Sequence, residues 1–217
     1  MTVDVKRATL NAFSAGTIDV EKLAEAAPEC GCELACSIEG SPGPVTDGET
    51  LRFFITSRSD VDLKKQPALL ESRPFRPKDL KKAYTVGLSV CRLSYATRQE
   101  QEYTAGMLFS IQSSNNGDYG GILAVMDFSA DAVRVSDGTF FPLCVLETPS
   151  DDQSNGTFLR PSHADIVNSV HGMTDIQKAE SRTKLHNQII QNGTKTALED
   201  VHDCELAQFL PPVVLAS

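Results

Sequence analysis

Three stretches of this chain hold residues whose types and spacing could do chemistry. The first is residues 156–172, GTFLRPSHADIVNSVHG, with two of the four histidines. Pro161, Ser162 and Asp165 three positions after the serine read as the cap of a helix beginning near Ser162. Ala164, Ile166, Val167 and Val170 would form its apolar face and Gly172 its stop. At such an N-terminus the helix dipole disfavours imidazolium, so His163 would be neutral, able to accept a proton or ligate a metal. That makes His163 a candidate catalytic residue; the alternative is that it caps or packs the helix start. His171, eight positions on, would lie about 12 Å away, too far to share an ion.

The second stretch is Cys30, Cys32 and Cys36, a C-x-C-x3-C cluster. Thiolates at that density can hold zinc, which would make the chain a zinc-stabilised binding module. The usual C-x2-C knuckle is missing, however, and a fourth ligand would have to come from Cys91, Cys144, Cys204 or a histidine. The alternative is three small, partly buried residues near a helix end. The direct reading therefore assigns no metal and no cofactor. The third stretch, residues 64–82 (KKQPALLESRPFRPKDLKK), is the positive patch. Its Arg73, Arg76, Lys78, Lys81 and Lys82 could meet an acidic partner or a phosphate, or simply be solvated surface.

The elements that must position these residues follow from periodicity and punctuation. Residues 1–28 predict two short amphipathic helices broken at Gly16, too short to be stable alone and read as a docking arm. Residues 39–49 (EGSPGPVTDGE) read as a linker, so the expected organisation is an arm and linker over 1–45 and a single domain over 46–217. Strands are expected at 51–56, 87–95, 105–112, 121–128, 132–136 and 140–147, short apolar or β-branched runs separated by turn residues. The loop SSNNGDYGG, residues 113–121, reads as a hairpin connection. Thr174 and Gln177 form a capping box opening a helix that stops at Asn192-Gly193, and one more short helix precedes Pro211-Pro212. The expected fold class is α+β: a largely antiparallel sheet of about six strands with C-terminal helices and an N-terminal helical arm.

Composition narrows the function classes. Twenty Lys and Arg against 29 Asp and Glu give a net charge of -9, which disfavours nucleic-acid and anionic-membrane partners. No apolar run approaches a membrane span, and the N-terminus lacks an apolar signal core, so a soluble, cytoplasmic protein of bacterial type is expected. In that compartment its six cysteines should be reduced. There is no G-x-S-x-G elbow, H-E-x-x-H, Walker loop or dinucleotide fingerprint, which lowers the standing of the common hydrolases, zincins, P-loop NTPases and Rossmann enzymes.

The order from Arg52 to Tyr95, a strand ending in TSRSD, a Pro-rich segment and a second strand, resembles the ADP-ribosyltransferase-like proteins. The resemblance covers less than a quarter of the chain and rests on Arg52, Thr56, Ser57 and Ser94. It implies an NAD-dependent enzyme with Arg52 in a catalytic role, Thr56 and Ser57 contacting the cofactor, and Glu147, at a strand end, as the candidate catalytic glutamate. Whether the chain is an enzyme stays open at this point. The arm, the acidic body and the basic loop instead suit an accessory or interaction protein that docks a protein partner.

Overall fold

The computed structural model describes residues 2–33, 40–57, 75–134, 143–152, 158–202 and 205–212. Helix α1 (Val3–Ser14) is capped by Thr2, whose hydroxyl accepts from the Val5 amide. Gly16, at φ 68°, breaks the chain, and α2 (Val20–Ala26) begins at the Asp19 cap. Strands β1 (Thr50–Thr56) and β2 (Leu88–Arg92) flank a 3-10 helix, Pro77–Tyr84, with proline in its first turn. Helix α3 (Arg98–Asn116), strand β3 (Ile122–Ser129) and the single-turn helix α4 (Asp131–Arg134) follow. Then come β4 (Leu143–Glu147), β5 (Ser150–Asp152), β6 (Phe158–Arg160) and β7 (His163–Asn168), helix α5 (Asp175–Asn192) and strand β8 (Thr194–Ala197).

The fold is α+β with one antiparallel six-strand sheet in the order β4-β7-β2-β1-β3-β8; β5 and β6 pair separately. Register is set by pairs such as Glu147↔Ala164 and Cys144↔Val167 between β4 and β7, and Cys91↔His163 between β2 and β7. The six strands are not the six expected. The run at 105–112 lies inside α3: Thr97 caps the helix by accepting from the Glu100 amide, and the helix formers RQEQE start a helix that the apolar run continues. Residues 113–116 finish that helix, and Gly117–Tyr119 make a 3-10 turn, so SSNNGDYGG is a helix-to-strand connection and not a hairpin. The expected strand at 132–136 is α4 as far as Arg134, its remainder lying outside the described residues. Their places in the sheet are taken by β7 and β8.

The largest correction concerns residues 162–172. They form no helix: Pro161 and Ser162 make a turn, and β7 runs from His163 to Asn168 between β4 and β2. A strand paired on both edges satisfies all its backbone groups, and Ile166 and Val167, both β-branched and fully buried, suit it. The dipole argument for His163 falls with the helix. By contrast α5 begins at the anticipated capping box, Thr174 and Gln177 exchanging side-chain and backbone bonds.

The chain divides into two compact units. The first joins residues 1–51, 76–96 and 128–193. Here Leu10 and Phe13 of α1 and Val20, Leu23 and Ala27 of the α2 region pack on Cys144, Leu146 and Val167 of β4 and β7. The apolar faces of the two N-terminal helices are therefore occupied by the protein's own sheet. Arg92, 1% exposed, anchors the same unit: it forks onto Glu49 at 2.7 and 2.8 Å, donates to the Gly43 carbonyl and stacks on Tyr95. The second unit joins residues 52–75, 97–127 and 194–217. In it Ser57 and Gly121 bond twice, and a Cβ on Gly121 would lie 2.6 Å from the Pro211 nitrogen, so only glycine fits.

Candidate functional site

Residues 28–33 form a tight turn after α2, with the Gly31 amide donating to the Pro28 carbonyl and the Glu33 amide to that of Cys30. Glu29 (φ 53°) and Cys30 (φ 58°) are consecutive non-glycine residues in the left-handed region, and the only positive-φ non-glycine residues among those described. Such backbone costs about 1–2 kcal/mol per residue and persists only where the surroundings enforce it. The turn is also tied covalently to the sheet: Cys30 is disulfide-bonded to Cys144 of β4, with Cα atoms 5.2 Å apart. The expectation that all cysteines are reduced is thus overturned for this pair. Cys32 and Cys91 are buried and stand outside this disulfide, while Cys36 and Cys204 lie outside the described residues.

Glu33 completes the cluster. One of its carboxylate oxygens and the sulfurs of Cys30 and Cys144 lie within 4.8 Å of one another. Because β4 is the edge of the sheet, its outward amides have no strand to pair with among the described residues. The Val145 amide donates instead to Glu33 Oε1 at 2.8 Å, and Arg134 of α4 forms an ion pair with the same oxygen. Arg134 also reaches Asp47 and the Val45 carbonyl. Burial pushes the Glu33 carboxyl above its ordinary range, outweighing the bonds from Val145 and Arg134. Cys30, Cys32 and Cys144 line one recess with Leu23, Ala27 and Val167. Its empty space of about 200 Å³ includes open solvent, and the enclosed part has room for little more than a water molecule, too small for a metabolite. Cys30 is half-buried, whereas Cys144 is 3% exposed and Cys32 is 2% exposed, so Cys30 is the more exposed member of the pair.

The residues singled out in the sequence are distributed as follows. His163 is buried at the start of β7, and its Nδ1–H donates to the Thr148 carbonyl at 2.6 Å and lies 3.0 Å from the Thr148 hydroxyl. That hydroxyl donates to Asp165, which also accepts from Ser89. Cys91 faces His163 across the β2–β7 pair, a cysteine–histidine juxtaposition that only the strand register shows. Glu147 ends β4, fully buried, and accepts from Ser41; it sits beside His163 along the strands but on the opposite face of the pleat. Arg52, Thr56 and Ser57 belong to the other unit. Arg52 is bidentate to Asp127 at 2.8 and 2.7 Å and donates to Gln101 at 2.8 Å. Ser57 bonds Gly121, and Thr56 is the half-buried last residue of β1. Of the basic stretch, residues 64–74 lie outside the described residues, while Lys78, Lys81 and Lys82 are exposed on the 3-10 helix.

The sequence marks Cys30 and Cys32 by their spacing, but Cys144, 114 residues away from Cys30, only as one of several possible fourth ligands. Glu33, adjacent to the motif, carries no signal of its own until β4 is known to be an edge. The chain matches no protein-family model, no curated protein and no solved structure. No helix among the described residues is long and apolar enough to cross a membrane.

Proposed function

We propose that this is a soluble accessory protein that engages a protein partner by thiol–disulfide exchange at Cys30. The observation carrying the proposal is the half-buried Cys30 bonded to the buried Cys144 on a left-handed turn, beside a recess too small for a metabolite. In this reading the chain works in the cytoplasm, where a disulfide is characteristically transient, catalytic or redox-sensing. A partner thiolate attacks Cys30 Sγ, forming a mixed disulfide and releasing Cys144 as a thiolate that takes a proton from solvent. A second partner thiolate then attacks the partner's own sulfur in the mixed disulfide. This yields the partner's disulfide and a Cys30 thiolate, two electrons having passed to the Cys30–Cys144 pair. The geometry adds nothing to the ADP-ribosyltransferase-like reading, since Arg52 is bound to Asp127 and Gln101.

The test is trapping. In Cys144→Ser, glutathione disulfide should load one glutathione on Cys30, located by peptide mass spectrometry. In the wild-type reduced chain the same adduct should resolve to the Cys30–Cys144 bond. Cys30 reacting no faster than buried Cys91 would overturn the proposal.

A further inference from the structure

The exchange centre holds a third donor that thiol chemistry does not use. We infer that, once the disulfide is opened, Cys30, Cys144 and Glu33 form a binding site for a thiophilic divalent cation of the zinc type. The inference rests on the exchange reading only in requiring that the pair can exist as dithiol.

The donors are already gathered: both sulfurs and a Glu33 carboxylate oxygen fall within 4.8 Å of one another. Tetrahedral zinc with Zn–S near 2.3 Å and Zn–O near 2.1 Å needs donors separated by about 3.5–3.8 Å, a spacing that donors within 4.8 Å reach by small side-chain movements once reduction lets the sulfurs part. Reduction by a dithiol such as dithiothreitol delivers two electrons and two protons to the Cys30–Cys144 bond, the dithiol closing to its own cyclic disulfide. Cation binding then displaces two thiol protons to solvent.

Orientation and charge agree with that assignment. Glu33 Oε1 is held by the Val145 amide and Arg134, the kind of outer contacts that fix a ligating carboxylate. Two thiolates and one carboxylate carry three negative charges, and a divalent cation with the Arg134 guanidinium balances them. The site is not the C-x-C-x3-C set of the sequence: Cys32 Sγ points at the Lys6 carbonyl, 3.7 Å away, and is outside the 4.8 Å group. The fourth position is left to water, the open arrangement of a three-ligand site.

The experiment uses the full chain, reduced anaerobically and stripped of metal, with thiols counted before metal is added. Cobalt(II) should bind one equivalent with a thiolate charge-transfer band, and zinc(II) should displace it. The oxidised chain should bind none. Cys144→Ser should abolish the band, Glu33→Gln should weaken binding at least ~10-fold, and Cys32→Ser should leave it unchanged. Circular dichroism of each variant separates lost ligation from lost fold, and Glu33→Gln, which keeps both sulfurs, decides the case if Cys144→Ser does not fold. A reduced, folded chain that takes no cobalt overturns the inference while leaving the exchange reading intact. Thiol counts showing that the pair never oxidises, together with normal cobalt binding, overturn the exchange reading and leave the metal site standing. Equal binding in the oxidised chain, or loss with Cys32→Ser alone, also overturns the inference.

Discussion

Reducing the Cys30–Cys144 bond should cost much less stability than its loop length implies. Cross-linking residues 114 apart removes chain entropy from the unfolded state worth about 4.8 kcal/mol at 25 °C. Against this stand Glu29 and Cys30, both held at left-handed φ, at about 1–2 kcal/mol each. If opening the bond frees the turn to relax, about 2–4 kcal/mol returns, and the net loss is about 1–3 kcal/mol. The assay is urea unfolding of the oxidised chain and of the chain kept in a phosphine reductant, compared at fixed m-value. Glu29→Gly, which removes one left-handed penalty, should raise the disulfide's apparent contribution by about 1 kcal/mol. A loss near 5 kcal/mol would refute the reasoning by showing an unstrained, purely structural bond. No loss would refute the pairing itself.

Three further perturbations test the rest of the framework. Burial pushes the Tyr84 phenol up to about 12, against the opposing hydrogen bond with Ser181, from an ordinary 10.0. Because the folded value is raised, its contribution of about 3 kcal/mol is complete below pH 10.0 and is lost as the pH climbs towards about 12. Tyr84→Phe should flatten that alkaline limb in a pH series of thermal melts. For Glu49 burial alone would raise the carboxyl, but the bonds from Arg92 and Thr46 outweigh it and hold the group below its ordinary 4.5. Its stabilisation is therefore present above pH 4.5 and lost as the pH falls through the lower folded value. Glu49→Gln, leaving the fully buried Arg92 without its anion, should cost about 3–5 kcal/mol in denaturant unfolding at pH 7. Gly121→Ala, whose Cβ would lie 2.6 Å from the Pro211 nitrogen and 2.9 Å from the Phe209 carbonyl oxygen, should cost about 1–3 kcal/mol. Amide exchange should show the loss first at residues 207–210.

What the sequence shows and hides follows from where the signals lie. β1, β2, β3 and β4 are legible because each is a short apolar run bounded by turn residues, and α5 because its capping box and its Asn-Gly stop are both local. α1 and α2 are legible for the same reason, but the surface they cover is not: Cys144, Leu146 and Val167 reach them through the sheet. Residues 163–168 are ambiguous because apolar residues at 164, 166 and 167 fit either period over six positions. Two pairing edges decide it, and those belong to β2 and β4. The strand expected at 105–112 fails for the opposite reason: the signal that matters, the Thr97 cap, lies outside the apolar run. The candidate site is half legible. Cys30 and Cys32 stand out by spacing, whereas Cys144, Glu33 and the Cys91–His163 pair acquire meaning only from strand register and the open edge of β4.

The most direct test of the exchange centre is a redox titration of the full chain in glutathione buffers, reading the Cys30 and Cys144 peptides by differential alkylation and mass spectrometry. The exchange reading, with a half-buried Cys30 on a left-handed turn, predicts that these two cysteines titrate together as one two-electron couple, with a midpoint above about −300 mV. A midpoint below that value, or oxidation that never joins Cys30 to Cys144, would contradict the account.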